Sequence, residues 1–178
     1  WALTPITDIY QALVPQVLRK GIHNAFVNID APVRITNALL QGRPKASGIA
    51  LGRFVTNSTL GLGGLFEAGE RIGLEKQSAD FGMTLAKWGT PQGPYMIFPL
   101  LGPTTLRDGT GMGVDFMMQP VSWVIGPLPG MVVGMGKDFS RREQHFLELA
   151  SLRDASLDFY SALRSAFLQD RAGLVAES

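Results

Sequence analysis

Few residues in this chain could do covalent chemistry. Its 178 residues include two histidines, His23 and His145, and no cysteine. A disulfide framework, a thiolate metal site and a Cys nucleophile are therefore excluded within these residues. The histidines fall on two different predicted helices. Neither sits in HExxH or beside a carboxylate pair at ligand spacing, so the favoured reading of each is a surface or packed imidazole. No GxSxG elbow occurs, which removes the commonest setting for a lipase serine. Two glycine-rich runs invite a nucleotide reading and fail it. In GMVVGMGKD (Gly130 to Asp138), Met131 stands where a phosphate loop needs its first Gly and Asp138 replaces Ser or Thr. GTGMGVD (Gly109 to Asp115) lacks the GxGxxG spacing and any βαβ context. Such glycines permit positive φ or close backbone contact. Glu67, Glu70, Glu75 and Asp80 are scattered through a polar interlude and read as solvated charges and helix caps. Arg107-Asp108 closes a 19-residue uncharged stretch. It suits a local ion pair or an interface anchor, ahead of an Arg contact to a lipid phosphate.

No catalytic residue, metal ligand or cofactor is thus assigned, and what remains informative is where charge is missing. The length suits a single domain over residues 1–178, with enough chain to bury a core. Lys and Arg number 16 against 15 Asp and Glu, so no bulk field attracts nucleic acid. Charged residues are only 17% of the chain, below the roughly 25% usual in soluble domains, a composition that leans toward lipid or a large partner. Phe54 to Phe66, Trp88 to Leu106 and Phe116 to Gly136 carry no charge. The last is 21 residues long, and a spanning helix needs about 20. Yet it holds Pro120, Pro127 and Pro129 and several glycines, and each interior Pro frees backbone groups that bare hydrocarbon cannot satisfy. A broken or re-entrant segment, packed on protein or lining a cavity, fits better.

The elements that would position these stretches are helical. Thr4-Pro5 reads as a helix start, with Ile6, Ile9, Tyr10 and Leu13 on one face and a restart at Pro15. Leu18, Ile22, Ala25, Phe26 and Ile29 make the stripe of an amphipathic helix, with Arg19, Lys20 and Asn24 off it. A short helix runs from about Pro32 to Leu40 and stops at Gly42. The next runs from Pro44 to about Leu60, apolar on more than one side, which places it centrally in a core or against lipid. Ser78 to Trp88 suits three helical turns. Tyr95 to Leu101 is too short to classify, and its Pro99 argues against a central strand. Ser140 with Glu143 is a capping-box pair. Leu149, Leu152, Ala155, Phe159, Leu163 and Phe167 then keep helical spacing, which predicts one long helix. The expected fold is mainly α: a compact ring-like bundle of amphipathic and broken helices with Gly/Pro-rich turns.

Three strings carry a resemblance. RFVTNSTLGLGGLFE (Arg53 to Glu67), DFGMTLAKWGTPQGPYMIFPLLGPTTLRDGTG (Asp80 to Gly111) and DFYSALRSAFLQDR (Asp158 to Arg171) occur in order. They are similar to the ordered words of the MlaA/VacJ family, and the opening helices resemble that family's start. The resemblance implies an outer-membrane lipoprotein of Gram-negative bacteria, lying in the inner leaflet and at the periplasmic face around an amphipathic channel. It implies removal of mislocalised phospholipid from the outer leaflet and delivery to a periplasmic lipid carrier, beside an outer-membrane porin trimer, without enzymatic chemistry, cofactor or nucleic acid. It also implies an anchor-bearing Cys segment ahead of Trp1. On motif position Asn57, Thr59, Gly61, Gly63, Gly64, Tyr95 and Arg107 are lipid-channel candidates; for each glycine, packing is at least as good an account. Met83 stands where the family word has Gln, which weakens any polar contact there. The alternatives are a structural accessory subunit of a larger membrane complex, or a lipid-modifying enzyme with clustered Ser, His and carboxylate.

Overall fold

The computed structural model describes residues 4–98, 102–126 and 158–178, with isolated positions between 134 and 156. Four helices open the chain: α1 Thr4–Leu13, α2 Gln16–Ile29, α3 Ala31–Leu40 and α4 Pro44–Thr59. The breaks between them are local. Pro15 is extended (φ −55°, ψ 145°) and separates α1 from α2, as expected of a residue that cannot continue a helix. Gly42 ends α3 at φ +73°. The Arg43 N–H bonds Ala38 O and the Gly42 N–H bonds Leu39 O, a Schellman closure that needs the left-handed residue. Pro44 then sits at the start of α4, where a missing N–H costs nothing.

After α4 come a one-turn α5 (Ala68–Arg71) and α6 (Phe81–Lys87). The latter is shorter than the predicted Ser78–Trp88. Asp80 is extended and its Oδ1 accepts the Met83 N–H at 2.8 Å, so the cap fixes where the helix begins. The apolar run left unclassified is strand β1 (Tyr95–Phe98), paired antiparallel with β2 (Gly102–Thr105) from Tyr95↔Thr105 to Phe98↔Gly102. In a two-stranded sheet both strands are edges, so Pro103 is tolerated in β2. Thr105 caps α7 (Leu106–Met118), and α8 (Pro120–Ile125) follows with Pro120 in its first turn. The uncharged 116–136 stretch is therefore interrupted at Gln119 and again at Gly126 (φ +88°). Among the described residues no helix is long and apolar enough to cross a membrane.

Two expectations need correction. The long helix predicted through Leu149 to Phe167 is broken at Asp158. Asp158 is non-helical (φ −128°, ψ 100°) and caps the N–H groups of Tyr160 and Ser161, so α9 spans Phe159–Ala176. A side-chain cap here overrides apolar spacing that would have carried across it. Ser140 is not a helix cap either: Phe139 is already helical, and the Ser140 hydroxyl meets His23 Nδ1 at 3.3 Å. Its partner in the expected capping box, Glu143, and Leu149 and Leu152 lie outside the described residues.

The polarity of the packing runs opposite to that of an ordinary globule. Among the described residues the buried apolar side chains are mostly alanines, joined by Val33 and Met83. The buried polar and charged ones include Asn24, Asn28, Asn37, Gln41, Arg53 and Asn57. On α2 the inward positions are Asn24 and Asn28, while Val17 and Leu18 point out. On α4 the buried stripe is Ala46, Ala50, Arg53 and Asn57, and Leu51 and Val55 are half-exposed. Of the two settings open to α4, a central core does not hold for Leu51 and Val55. At the far side Trp123 and Val124 of α8 are 77% and 84% exposed.

Helices α6 and α7 meet backbone to backbone. A Cβ on Gly111 would lie 2.4 Å from Gly82 N and 2.7 Å from its Cα. Gly111→Ala should therefore destabilise the fold by roughly 1–3 kcal/mol or more, because neither backbone can yield cheaply. A Cβ on Gly113, two residues on in α7, would meet nothing within 4 Å, and Gly113→Ala should leave stability unchanged or raise it by about 0.5–1 kcal/mol. Urea melts of the two variants check the contrast.

Candidate functional site

The interior is organised around a charged junction. Arg171, from the last turns of α9, donates from Nη1 and Nη2 to both oxygens of Asp80 at 2.6 Å each, a bidentate fork. The same Nη2 donates to Asp108 Oδ1 at 3.0 Å. Asp108 also accepts from Arg107 Nε at 3.1 Å and from the Thr105 hydroxyl at 3.0 Å. Arg107, Asp108 and Arg171 are nearly closed off from solvent, and the Asp80 side chain is partly open. Burial pushes the Asp108 carboxyl up, but the hydrogen bonds and charge of Arg171, with Arg107 and Thr105, more than offset it and hold it below the usual carboxylate range. Gly82 makes this possible: a Cβ there would sit 2.5 Å from Asp108 Oδ1 and 2.6 Å from Arg171 Nη2.

A second polar chain runs from this junction into α3. The Gln41 amide donates to Thr84 Oγ1 at 3.0 Å and to Asp80 O at 3.1 Å, and the Thr84 hydroxyl donates to Asn37 Oδ1 at 2.8 Å. Asn37 Nδ2 in turn donates to Asp115 Oδ1 at 2.8 Å, and the Phe81 N–H donates to the same carboxylate. Burial raises the Asp115 carboxyl, these two donors pull it back and the charges of Asp80 and Asp30 raise it again, which leaves it at about 6. Asp30 itself receives Gln119 Nε2 and Arg34, so α3, α6, α7 and the start of α8 share one network.

On another side, a cleft opens between α2, α3, α4 and the segment that links α5 to α6. Arg34, Arg53 and Lys76 line it, with Asn28, Asn57 and Gln77 beside them. Val27, Ala31, Ala50 and Phe54 give it an apolar wall. Arg53 is fixed in place: Nη2 reaches Glu67 Oε1 at 3.0 Å and Nη1 donates to the Leu74 carbonyl. Asn57 is fixed as well, its Oδ1 accepting the Gly69 N–H at 2.8 Å. The cleft's volume is about 20 Å³, room for about one water molecule.

The seven channel candidates do not come together in one place. Asn57 alone among them lines the cleft. Thr59 is exposed at the end of α4, its hydroxyl returned to the Val55 carbonyl at 2.8 Å. Gly61 and Gly64 are packing positions. A Cβ on Gly61 would lie 2.2 Å from Phe66 O, and one on Gly64 (φ +94°) 2.4 Å from Asn28 Cβ. Gly63 (φ +72°) is open to its surroundings. Tyr95 is at the start of β1, edge-on to Tyr160 at 5.8 Å and tilted against Phe167 at 5.9 Å. Arg107 is the member of the charged junction just described.

Sequence reading missed Asp80, Asp108 and Arg171 as a unit, and Arg34 and Lys76 as neighbours of Arg53. A signal was present: Asp80, Asp108 and Arg171 are charged members of the second and third ordered strings. The His23–Ser140 contact is two members of a hydrolytic trio, but Ser140 is buried and does not line the cleft. Among the described residues no group of three or more His, Cys, Asp or Glu could hold a metal ion.

Residues 1–173 match the family model described as MlaA lipoprotein. The chain is 30% identical over 175 residues to a Haemophilus influenzae protein named intermembrane phospholipid transport system lipoprotein MlaA, covering 96% of this chain and 69% of that one. It is 31% identical over 174 residues to the Escherichia coli K12 protein of the same name, covering 95% and 68%. A solved chain from work on the structural basis for maintenance of bacterial outer membrane lipid asymmetry is similar at TM-score 0.81 and 29% identity, covering 98% of this chain and 88% of that one.

Two outcomes follow from the electrostatics. Arg171→Met leaves Asp80 and the buried Asp108 without their partner and should cost about 3–5 kcal/mol in a urea melt. Asp115 has a folded pKa near 6, above its usual 3.8, so the folded state binds its proton more tightly. Its contribution to stability is full below pH 4 and lost as pH rises through 6. Asp115→Asn should therefore raise stability at pH 8 by about 1–2 kcal/mol, allowing for partial exposure, and leave it near wild type at pH 4.

Proposed function

Because the chain belongs to the MlaA lipoprotein family, we propose that it transports phospholipid at the outer membrane of a Gram-negative bacterium and so maintains lipid asymmetry there. The observation that carries this reading is the reversed packing: asparagine, glutamine and arginine inside, with Val17, Leu51, Val55, Trp123 and Val124 outside. Exposed apolar side chains on so many elements have a low free energy when acyl chains surround them, and a high one in water.

In this reading the protein lies in the inner leaflet at the periplasmic face. Short amphipathic helices suffice for that placement, because each buries one face among acyl chains and turns the other to a polar interior. Mislocalised phospholipid leaves the outer leaflet through an amphipathic passage, its head group against polar side chains and its tails against apolar ones. The lipid is then taken up by a periplasmic carrier, beside a porin trimer that provides the setting in the membrane. Asn57 is the channel candidate with the strongest support, since it lines a cleft with both polar and apolar walls. Breaks at Gln119 and Gly126 end α7 and α8 at 13 and 6 residues, short of the about 20 that a spanning helix needs. No step requires a covalent intermediate.

The test is restoration of asymmetry. A Gram-negative strain lacking its own member of the family is complemented with this protein's native coding sequence, and outer-leaflet phospholipid is read by its accessibility to added phospholipase. Accessible phospholipid should fall toward the parental level; no change in a strain that makes and localises the protein contradicts the proposal. Val17→Glu combined with Leu51→Glu should shift the protein out of the membrane fraction and lower restoration, since each charge placed at a bilayer centre costs roughly 2.5–3.5 kcal/mol and less nearer the interface.

A further inference from the structure

We propose that the joint between α7 and α8 is a proton-operated hinge with the Asp115 carboxyl as its latch. Protonated, the carboxyl holds the end of α7 against α3 and α6; ionised, it lets the joint open. The device is regulatory and does not depend on the transport reading above.

Position is the first argument. Asp115 lies in the last turn of α7, just before Gln119, where the chain leaves the helix (φ −75°, ψ 115°) to begin α8. Its carboxylate joins three elements. It accepts Asn37 Nδ2 of α3 at 2.8 Å and the Phe81 N–H, the first of α6, at 3.1 and 3.2 Å. One turn earlier in α7, Gly111 is pressed against the Gly82 backbone. A movement of α7 must therefore pivot about that contact and be largest at the far end. Gln119 is the second tie across the joint: it is 3% exposed, and its Nε2 donates to Asp30 Oδ1 at 3.1 Å.

Charge is the second argument. Asp80, at the cap of α6, and Asp30, between α2 and α3, are the charged groups that act on Asp115, and both are carboxylates. Each has a cation of its own, Arg171 for Asp80 and Arg34 for Asp30. Asp108, on the same helix as Asp115, is bonded by Arg171 and Arg107. Lys87, at the other end of α6, reaches the Ser178 carbonyl. Among the described residues no arginine or lysine pairs with Asp115. Ionisation thus adds a negative charge that two neutral donors answer, and it repels the aspartate that holds Gln119. One proton loads both ties.

The sign of the response follows. Burial, with the charges of Asp80 and Asp30, leaves the Asp115 carboxyl at about 6, above its usual 3.8. Protonation therefore favours the closed joint. The stabilisation is complete below about pH 4 and is lost as pH rises through about 6.

The chain has no cysteine, so nitroxides on Thr36→Cys of α3 and Val124→Cys of α8, both exposed positions, report on the joint alone. The full protein, in dodecyl maltoside, is read by pulsed electron paramagnetic resonance between about pH 5 and about pH 8. One narrow distance distribution is expected at the acid end. Its share should fall at least about twofold at the alkaline end, with a midpoint near 6. Asp115→Asn carries no charge and should keep the acid distribution throughout. Asp30→Asn removes a repelling charge and should move the midpoint to lower pH, a readout that stands if Asp115→Asn fails to fold. A distribution unchanged across the pH range overturns the proposal. So does a pH response that survives in folded Asp115→Asn, or a midpoint that does not fall in Asp30→Asn.

Discussion

Arg171 reaches from the late turns of α9 to two carboxylates that belong to different elements, and among the described residues it is the one cation bonded to both, Arg107 reaching Asp108 alone. Asp80 is already spent as the cap of α6, and Asp108 lies in the first turn of α7, where its own N–H bonds Thr105. The two helices approach through Gly82 and Gly111 with their backbones in contact, so there is no room for a larger spacer. At that distance the buried Asp108 and the partly open Asp80 carboxylates would repel, and a fork able to bond both offsets that repulsion. The C-terminal helix is thereby tied to the middle of the chain. The hairpin joins the same arrangement through Thr105, the last residue of β2, whose hydroxyl bonds Asp108.

A junction of this kind explains how the interior can be polar. A water-soluble domain of this size gains its stability from burying large apolar side chains, and exposed charge keeps it dissolved. Here the small residues and amides go in, and isoleucine, leucine, valine and tryptophan go out. Hydrogen bonds replace hydrophobic burial as the internal specification of the fold, and each buried amide must then find partners. Asn37 and Thr84, fully buried, do so within one network. The outer surface in turn is stabilised by whatever apolar medium it meets. Structure and proposed function share this link: a polar interior inside an apolar shell is the distribution that moving a charged head group through a leaflet requires.

Much of the helical framework was legible because it is punctuated locally. Pro15, Gly42 and Pro44 act through their own backbone restrictions, and the boundaries they imply are the observed ones. The third string was read as part of a longer helix because apolar spacing continues across Asp158, whereas the cap made by that aspartate decides the boundary. Orientation was not legible. Periodicity locates the stripe of α2 but does not say which medium it faces, since that depends on partners distant in sequence. The charged junction was hidden for a related reason: Asp80, Asp108 and Arg171 are 28 and 63 residues apart in sequence, and no local rule couples them. The glycines were weighed as channel lining or packing. At Gly61 and Gly64 the close approaches are accounted for by packing alone.

The central claim is that phospholipid meets this protein on both its outer apolar surface and its polar inner side. Photoreactive residues placed singly at Leu51, Val55 and Asn57 test it most directly, because all three lie on α4 and the first two face away from the third. After illumination of intact native membranes, the account predicts phospholipid adducts at all three positions. Adducts to protein alone at Leu51 and Val55, with none to lipid at Asn57, would contradict it.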